Sequence, residues 1–362
     1  ALGSMWLLYF IPSLILQLFI GPFIDRWSRK WIMIFSQWTR GLIFLIPIVS
    51  LIIGNIEPWH IYVVQIIVGL ITPIYTPANQ AITPTIVSKN HLSTANAYID
   101  GTVRLMTFLA PVLGGGVVEY CGVKPTLIFV SILLIISGSL LIFIQETKSS
   151  NNVRKSWMEQ FIEGVSYFFK QPTLVWLGIF LAFVQFGVGV TMVITLPYIT
   201  EELSGSYSEY GYFMAGFPLG YVIGSLLVSK VKYKSRRVLM LGALVLGGLS
   251  FISLGVNSSI IFAIFTEVIA GVSMAFFSVH NITIFQQLVP NELLGKVSSV
   301  RLFIIRGTMP LGVFIGSYLG ELWGIRPLYL LIGAVICTMS LLGILLPYFK
   351  FIDSNSKQNI AS

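Results

Sequence analysis

Gly21-Pro22-Phe23-Ile24-Asp25-Arg26-Trp27-Ser28-Arg29-Lys30 is a compact charged stretch set between two long apolar runs. A loop this short between apolar walls reads as a tight turn at a membrane surface. Each flanking run is long enough to cross a hydrocarbon core of about 30 Å. The rest of the chain repeats the design: of 362 residues, 56% are hydrophobic and 10% charged, with a mean hydropathy of +0.87. A soluble domain carries about 25% charged residues. Only helices and closed barrels satisfy the backbone inside lipid, and continuous apolar runs without strict alternation select helices.

Eleven spans are predicted, at 5–24, 31–53, 59–87, 92–118, 125–144, 173–199, 210–231, 238–256, 259–288, 294–320 and 327–349. Basic residues in the intervening loops set the orientation. Sixteen of the 22 Lys and Arg fall in one set of loops and the tail, among them Arg26, Arg29, Lys30, Lys232 and Arg237, and only Lys124 and Arg326 in the other. The loop at 25–30 is therefore expected in the cytoplasm, with residue 1 outside and the C-terminus inside. This asymmetry accounts for the net charge of +8 without nucleic acid. An odd number of spans puts the two termini on opposite sides of the membrane. The expected divisions are an N-terminal transmembrane half over 1–145, a linker over 146–171, a C-terminal half over 172–350 and a tail over 351–362. In the linker, Ser149-Ser150-Asn151-Asn152 precedes Trp157, Phe161, Val165 and Phe168 at helical spacing. That pattern predicts an amphipathic helix lying on the membrane surface.

The halves are copies of one another. At a shift of 202 residues Gln65 falls on Glu267, Gly69 on Gly271, Asn79 on Asn281, Arg104 on Arg306, Gly114 on Gly316 and Glu119 on Glu321. Gly122-Val123-Lys124-Pro125 likewise falls on Gly324-Ile325-Arg326-Pro327, and Lys232–Arg237 is a degraded copy of the 25–30 loop.

The 21–30 stretch resembles the Gly-x-x-x-Asp-Arg-x-Gly-Arg-Arg/Lys loop of major facilitator superfamily transporters, with Ser28 in place of the second Gly. Pro77-Ala78-Asn79-Gln80 and Gln287-Leu288-Val289-Pro290 carry a likeness to the macrolide-efflux and siderophore-exporter branch of that superfamily. Ala110-Pro111-Val112-Leu113-Gly114-Gly115 resembles the Gly-Pro-x-x-Gly-Gly element of its drug antiporters. The resemblance implies an all-α fold of two six-helix halves about a membrane-normal axis, the first helix missing here, with the substrate site between them. It also implies a cytoplasmic gate at Gly21, Asp25, Arg26, Arg29 and Lys30, in which Asp25 engages the segment that carries Arg301.

Charges within spans are costly and are functional candidates. Asp100 and Arg104 share a helix face, so they fit a structural pair or a coupling site equally. Arg306 is the counterpart of Arg104. Arg40 and Arg301 sit where their side chains can snorkel toward the surface. Glu267, among Phe265, Val268 and Ile269, is the sharpest proton-coupling candidate, because a carboxyl in an apolar wall can lose its charge where an Arg cannot. Cavity candidates are Gln65, Tyr75, Thr76, Asn79, Gln185 and Asn281. Gly216, Gly220 and Gly224, and again Gly312, Gly316 and Gly320, fit close helix packing or hinge bending.

Cys121 and Cys337 lie in separate apolar segments, His280 has no partner at metal-ligand spacing, and there is no HExxH, GxSxG or GKS/T pattern. No cofactor, metal site or enzymatic activity is expected. The function expected is proton-coupled export of a hydrophobic or amphipathic small molecule by a monomer in lipid, with uptake or lysolipid flipping on the same fold, or a non-transporting membrane scaffold, as alternatives. Four intramembrane Arg against two acids suggest tolerance of anionic substrates.

Overall fold

The computed structural model describes residues 2–19, 28–88, 91–146, 157–228, 230–290 and 293–354. Among these every regular element is helical. Ten helices are long and apolar enough to cross a membrane, and the first apolar helix, Leu2–Gln17, is shorter. Among the described residues these ten and the short first helix stand where the eleven spans were expected.

The chain forms two compact units, Ala1–Met106 with Gly116–Trp157, and Thr107–Gly115 with Met158–Ser362. The first holds α1 (Leu2–Phe19), α2 (Arg29–Ile43), α3 (Leu45–Ile53), α4 (Pro58–Ile86), most of α5 (Leu92–Cys121) and α6 (Val123–Leu140). The second holds α7 (Trp157–Lys170), α8 (Pro172–Pro197), α9 (Tyr207–Val228), α10 (Arg236–Val256), α11 (Ile260–Leu288), α12 (Leu294–Trp323), α13 (Ile325–Leu345) and a last turn, α14 (Phe351–Ser354). The break between α2 and α3 follows from Pro47, which has no N–H to give the Ile43 carbonyl.

Helix boundaries repeat in the register of the sequence. α11 and α12 begin and end 202 residues after α4 and α5, and α13 begins 202 after α6. One glycine joins α5 to α6 and its copy joins α12 to α13; Gly122 and Gly324 have φ of 84° and 81°, a conformation that only glycine takes without strain. Packing repeats too. In the first unit α4 packs against α1 and α2, and α2 against α6; in the second α11 packs against α9 and α10, and α10 against α13. The second unit adds α8 against α12.

Apolar side chains alone do not choose partners in lipid, so close backbone approach matters. A Cβ on Gly220 would overlap the Val268 carbonyl, one on Gly271 that of Phe217, and one on Gly224 would lie 2.7 Å from the Val272 carbonyl. Gly312 sits in the same way on the Phe186 carbonyl, and a Cβ on Gly316 would lie 2.8 Å from Val190 Cγ1, whereas Gly320 has more room, 3.6 Å from Leu328 Cδ1.

The amphipathic helix corrects one expectation. The apolar stripe of α7 does not lie open to lipid: Phe168 is buried, with Phe161 and Val165, in a core shared with Leu174, Phe285, Val289, Val297 and Val300. Tyr167 donates to the Leu288 carbonyl at 2.7 Å, and Glu163 pairs with Lys296 at 2.7 Å. The stripe is therefore the inner face of a helix bound to its own bundle.

Candidate functional site

Gly21, Asp25 and Arg26 lie outside the described residues. Arg29 and Lys30 open α2, and Ser28 is its N-cap, accepting from the Trp31 amide at 3.4 Å. The serine that departs from the family pattern thus has a structural task, since a hydroxyl accepts one of the amides a helix start leaves unpaired. It also donates to Glu146 at 2.6 Å, and Glu146 accepts the Arg29 and Lys30 amides at 3.1 and 3.2 Å. Burial pushes the Glu146 carboxyl up; the Ser28 hydroxyl, the two amides and the Arg29 charge outweigh it, leaving its pKa below the ordinary value. Sequence reading did not single out Glu146.

Deeper in the first unit, Arg40 reaches Thr72 Oγ1 at 3.1 Å and Gln37 Oε1 at 3.5 Å, and lies 5.0 Å from the Tyr75 ring. Its buried Nε has no partner. Arg40 is therefore held by α4 rather than released to the surface, and Tyr75 belongs to its surroundings. Gln65 is half-buried, Thr76 and Asn79 are exposed on α4, and Arg104 is exposed on α5. The Asp100 side chain, and with it the pair with Arg104, lies outside what is described.

In the second unit Glu267 is half-buried on α11. The missing side chain of Gly216 makes room for it: a Cβ there would stand 3.0 Å from Glu267 Cβ and from the Ile264 carbonyl. Tyr329 lies within electrostatic reach of Glu267, Tyr198 and Tyr210. Its hydroxyl is 3.2 Å from Thr195 Oγ1, while Tyr198 donates to the Leu254 carbonyl at 2.7 Å. Among the described residues no Lys, Arg or His pairs with Glu267. An acid seated against Gly216 near Tyr329, with no cation paired to it among the described residues, can gain and lose a proton without breaking an ion pair.

Arg301 donates to Asn281 Oδ1 at 2.9 Å and lies 4.7 Å from the Phe285 ring. Like Arg40, it is held by a neighbouring helix instead of snorkelling. Asn281, expected on a cavity wall, is only 1% exposed. We expect Asn281→Ala to destabilise the folded protein by about 1 kcal/mol, because it strips the half-buried Arg301 guanidinium of its acceptor. Thermal unfolding of the full chain in detergent measures this; an unchanged transition would show that Arg301 finds another acceptor. Gln185 donates to Met309 Sδ at 3.5 Å, and Arg306 is exposed. His280 is buried, its Nε2 lacks a partner, and the Tyr233 ring lies 5.1 Å away.

The Pro111 element belongs to α9. Thr107–Gly115 clusters with the second unit, where a Cβ on Gly115 would lie 2.5 Å from the Tyr207 carbonyl and one on Gly211 would overlap that of Pro111. Gly114 has nothing within 4 Å.

Proteins of known family resemble this chain in sequence and fold. The family model described as Major Facilitator Superfamily matches residues 1–196 and 186–360. An uncharacterized MFS-type transporter of Bacillus subtilis, YvqJ, is 25% identical over 93% of this chain and 81% of its own length. Macrolide efflux protein A of Streptococcus pyogenes is 22% identical over 92% and 84%, and the enterobactin exporter EntS of Shigella boydii 22% over 77% and 67%. The crystal structure of a mutant of the nucleoside transporter NupG has the same fold, with a TM-score of 0.74, 13% identity, and coverage of 95% of this chain and 90% of that one.

Proposed function

The chain belongs to the major facilitator superfamily, and from that premise we propose that it exports a hydrophobic or amphipathic small molecule in exchange for protons, by alternating access. That it is a membrane transporter and not an enzyme follows from the family. Export, and a substrate of macrolide or siderophore type, are supported by the efflux relatives. In this reading the protein sits in the bacterial cell membrane with its basic loops in the cytoplasm, as the Lys and Arg asymmetry favours.

One observation carries the coupling: Glu267 is an acid within a span, seated against Gly216 and near Tyr329, with no cation paired to it among the described residues. Its counterpart in the repeat, Gln65, cannot titrate. Only one of two related halves therefore carries a proton acceptor at this position, as a single coupling site requires. Arg40 and Arg301, held by hydroxyl, amide and ring groups rather than acids, supply fixed positive charge that suits amphipathic anions.

Everted membrane vesicles test the reading. An imposed pH gradient should drive erythromycin or enterobactin into vesicles containing the protein, and a protonophore should collapse the accumulation. Accumulation indifferent to the gradient, or transport of these compounds only in the opposite direction, would refute it.

A further inference from the structure

The contact of Glu146 with the start of α2 occurs twice in the molecule. In the second unit Asp353 accepts from the Ser235 hydroxyl at 3.0 and 2.9 Å and from the Arg237 amide at 3.0 Å, with Arg237 Nε 3.8 Å away. Ser235 is the N-cap of α10, accepting from the Val238 amide at 3.1 Å, as Ser28 is of α2. A cation completes each contact in the opposite sense. Lys30 Nζ donates to the Ile142 carbonyl at 2.6 Å and Arg237 Nη1 to the Leu346 carbonyl at 3.0 Å, both just past the last long helix of the unit. Each unit thus caps two antiparallel helix ends at once, an acid on the N-terminus of one and a base on the C-terminus of the other. Both charges oppose the helix dipoles they meet.

The repeat register shows that this arrangement is more than inherited spacing. Ser28, Arg29, Lys30 and Glu146 correspond to Ser235, Arg236, Arg237 and Asp353 at a shift of 207, whereas α4 and α5 repeat at 202. From Ser235 to Ile260 is 25 residues against 30 from Ser28 to Pro58; from Ile325 to Asp353 is 28 against 23 from Val123 to Glu146. Five residues lost before α11 are regained between the start of α13 and Asp353. The paths differ as well. Glu146 follows a single turn, Leu141–Phe143, while the second unit inserts the turn Pro347–Lys350 and α14, seating Phe349 and Ile352 in the core with Met240 and Leu241. Two routes deliver a carboxylate to equivalent atoms.

We propose that Glu146 and Asp353 are equivalent positioning residues: Glu146 locks the basic start of α2, and Asp353 that of α10, to the end of the last long helix of the same unit, so that this end of each unit is one rigid piece.

Hydrogen exchange on the full chain in nanodiscs tests this without a substrate. Glu146→Gln should speed exchange of the Arg29–Trp31 amides at least tenfold and leave those at Arg236–Val238 unchanged; Asp353→Asn should do the reverse. Glu146→Asp and Asp353→Glu should keep protection, because a carboxylate is still present. Acid should weaken the first lock. Glu146 faces Ser28, Arg29 and Lys30, and its carboxyl titrates below the ordinary range, so the lock is complete above the ordinary Glu pKa of about 4.3 and is lost as pH falls through the lower folded value. The gap in unfolding temperature between wild type and Glu146→Gln should therefore close in that window. Unchanged exchange, exchange spread over the whole unit, or failure of the conservative variants to protect would overturn the proposal. Should Glu146→Gln not fold, Lys30→Met and Arg237→Met give the same local readout from the cation side.

Discussion

Glu267→Gln is expected to reduce uphill export driven by a pH gradient to background while leaving downhill exchange of the same substrate within about twofold of wild type. The amide has nearly the shape of the carboxylic acid, so the contact with Gly216 and the neighbourhood of Tyr329 survive. What is removed is the ability to exchange a proton. A carboxyl within a span can cross between its charged and neutral forms as water reaches it and withdraws, which a tyrosine or an arginine cannot do near neutral pH. The pH dependence of export should flatten in the same variant. Everted vesicles carrying wild type and variant at equal abundance, assayed with and without an imposed gradient, give both quantities. Accumulation against the gradient by Glu267→Gln with an unaltered pH profile would place the coupling proton elsewhere. A milder relative of the same experiment is Gly216→Ala, whose Cβ would crowd Glu267 and should shift the pH dependence without abolishing export.

Much of the fold could be read from the sequence because its signals are local or periodic. Runs of apolar residues located the long helices. The ungapped register from Gln65 to Pro125 and its copy anticipated that α4 and α11, and α5 and α12, would share boundaries. Gly122 and Gly324 mark their turns by the one side chain that tolerates the φ they take. The contacts that sequence reading missed join residues far apart in the chain. Ser28 and Glu146 are separated by 118 positions, and Glu146 looked like the first residue of a polar linker. Asp353 fell in what read as a tail and lies outside the 202-residue register, so the repeat did not point to it either. Arg40 and Arg301 were misjudged for a related reason: snorkelling is an inference from depth alone, whereas Thr72 and Asn281 become acceptors only once α4 and α11 are packed. The stripe on α7 had the right period and the wrong partner, since amphipathicity does not say whether lipid or protein covers the apolar face.

The two glycines of Gly114-Gly115 should respond oppositely to the same small change. Gly115→Ala is expected to lower export at least tenfold and Gly115→Val to abolish it, whereas Gly114→Ala should stay near wild type. The difference is one of neighbours, not of helix propensity, which penalises neither alanine. At Gly115 an added Cβ would lie 2.5 Å from the Tyr207 carbonyl and 3.1 Å from Gly211 Cα. Both obstacles are backbone, so no side-chain rotation relieves the overlap, and the two helices must part. Gly211 faces the Pro111 carbonyl in return, so Gly211→Ala should copy the defect from the α9 side. At Gly114 no atom lies within 4 Å, and a methyl group meets open space. Parting two helices in lipid forfeits dispersion contacts along the seam and gains no hydrophobic compensation, because lipid tails are as apolar as the surfaces exposed. Export rates normalised to the amount of folded protein in the membrane separate this effect from poor expression. Equal activity of Gly114→Ala and Gly115→Ala would mean that α5 and α9 do not stay this close while the transporter works.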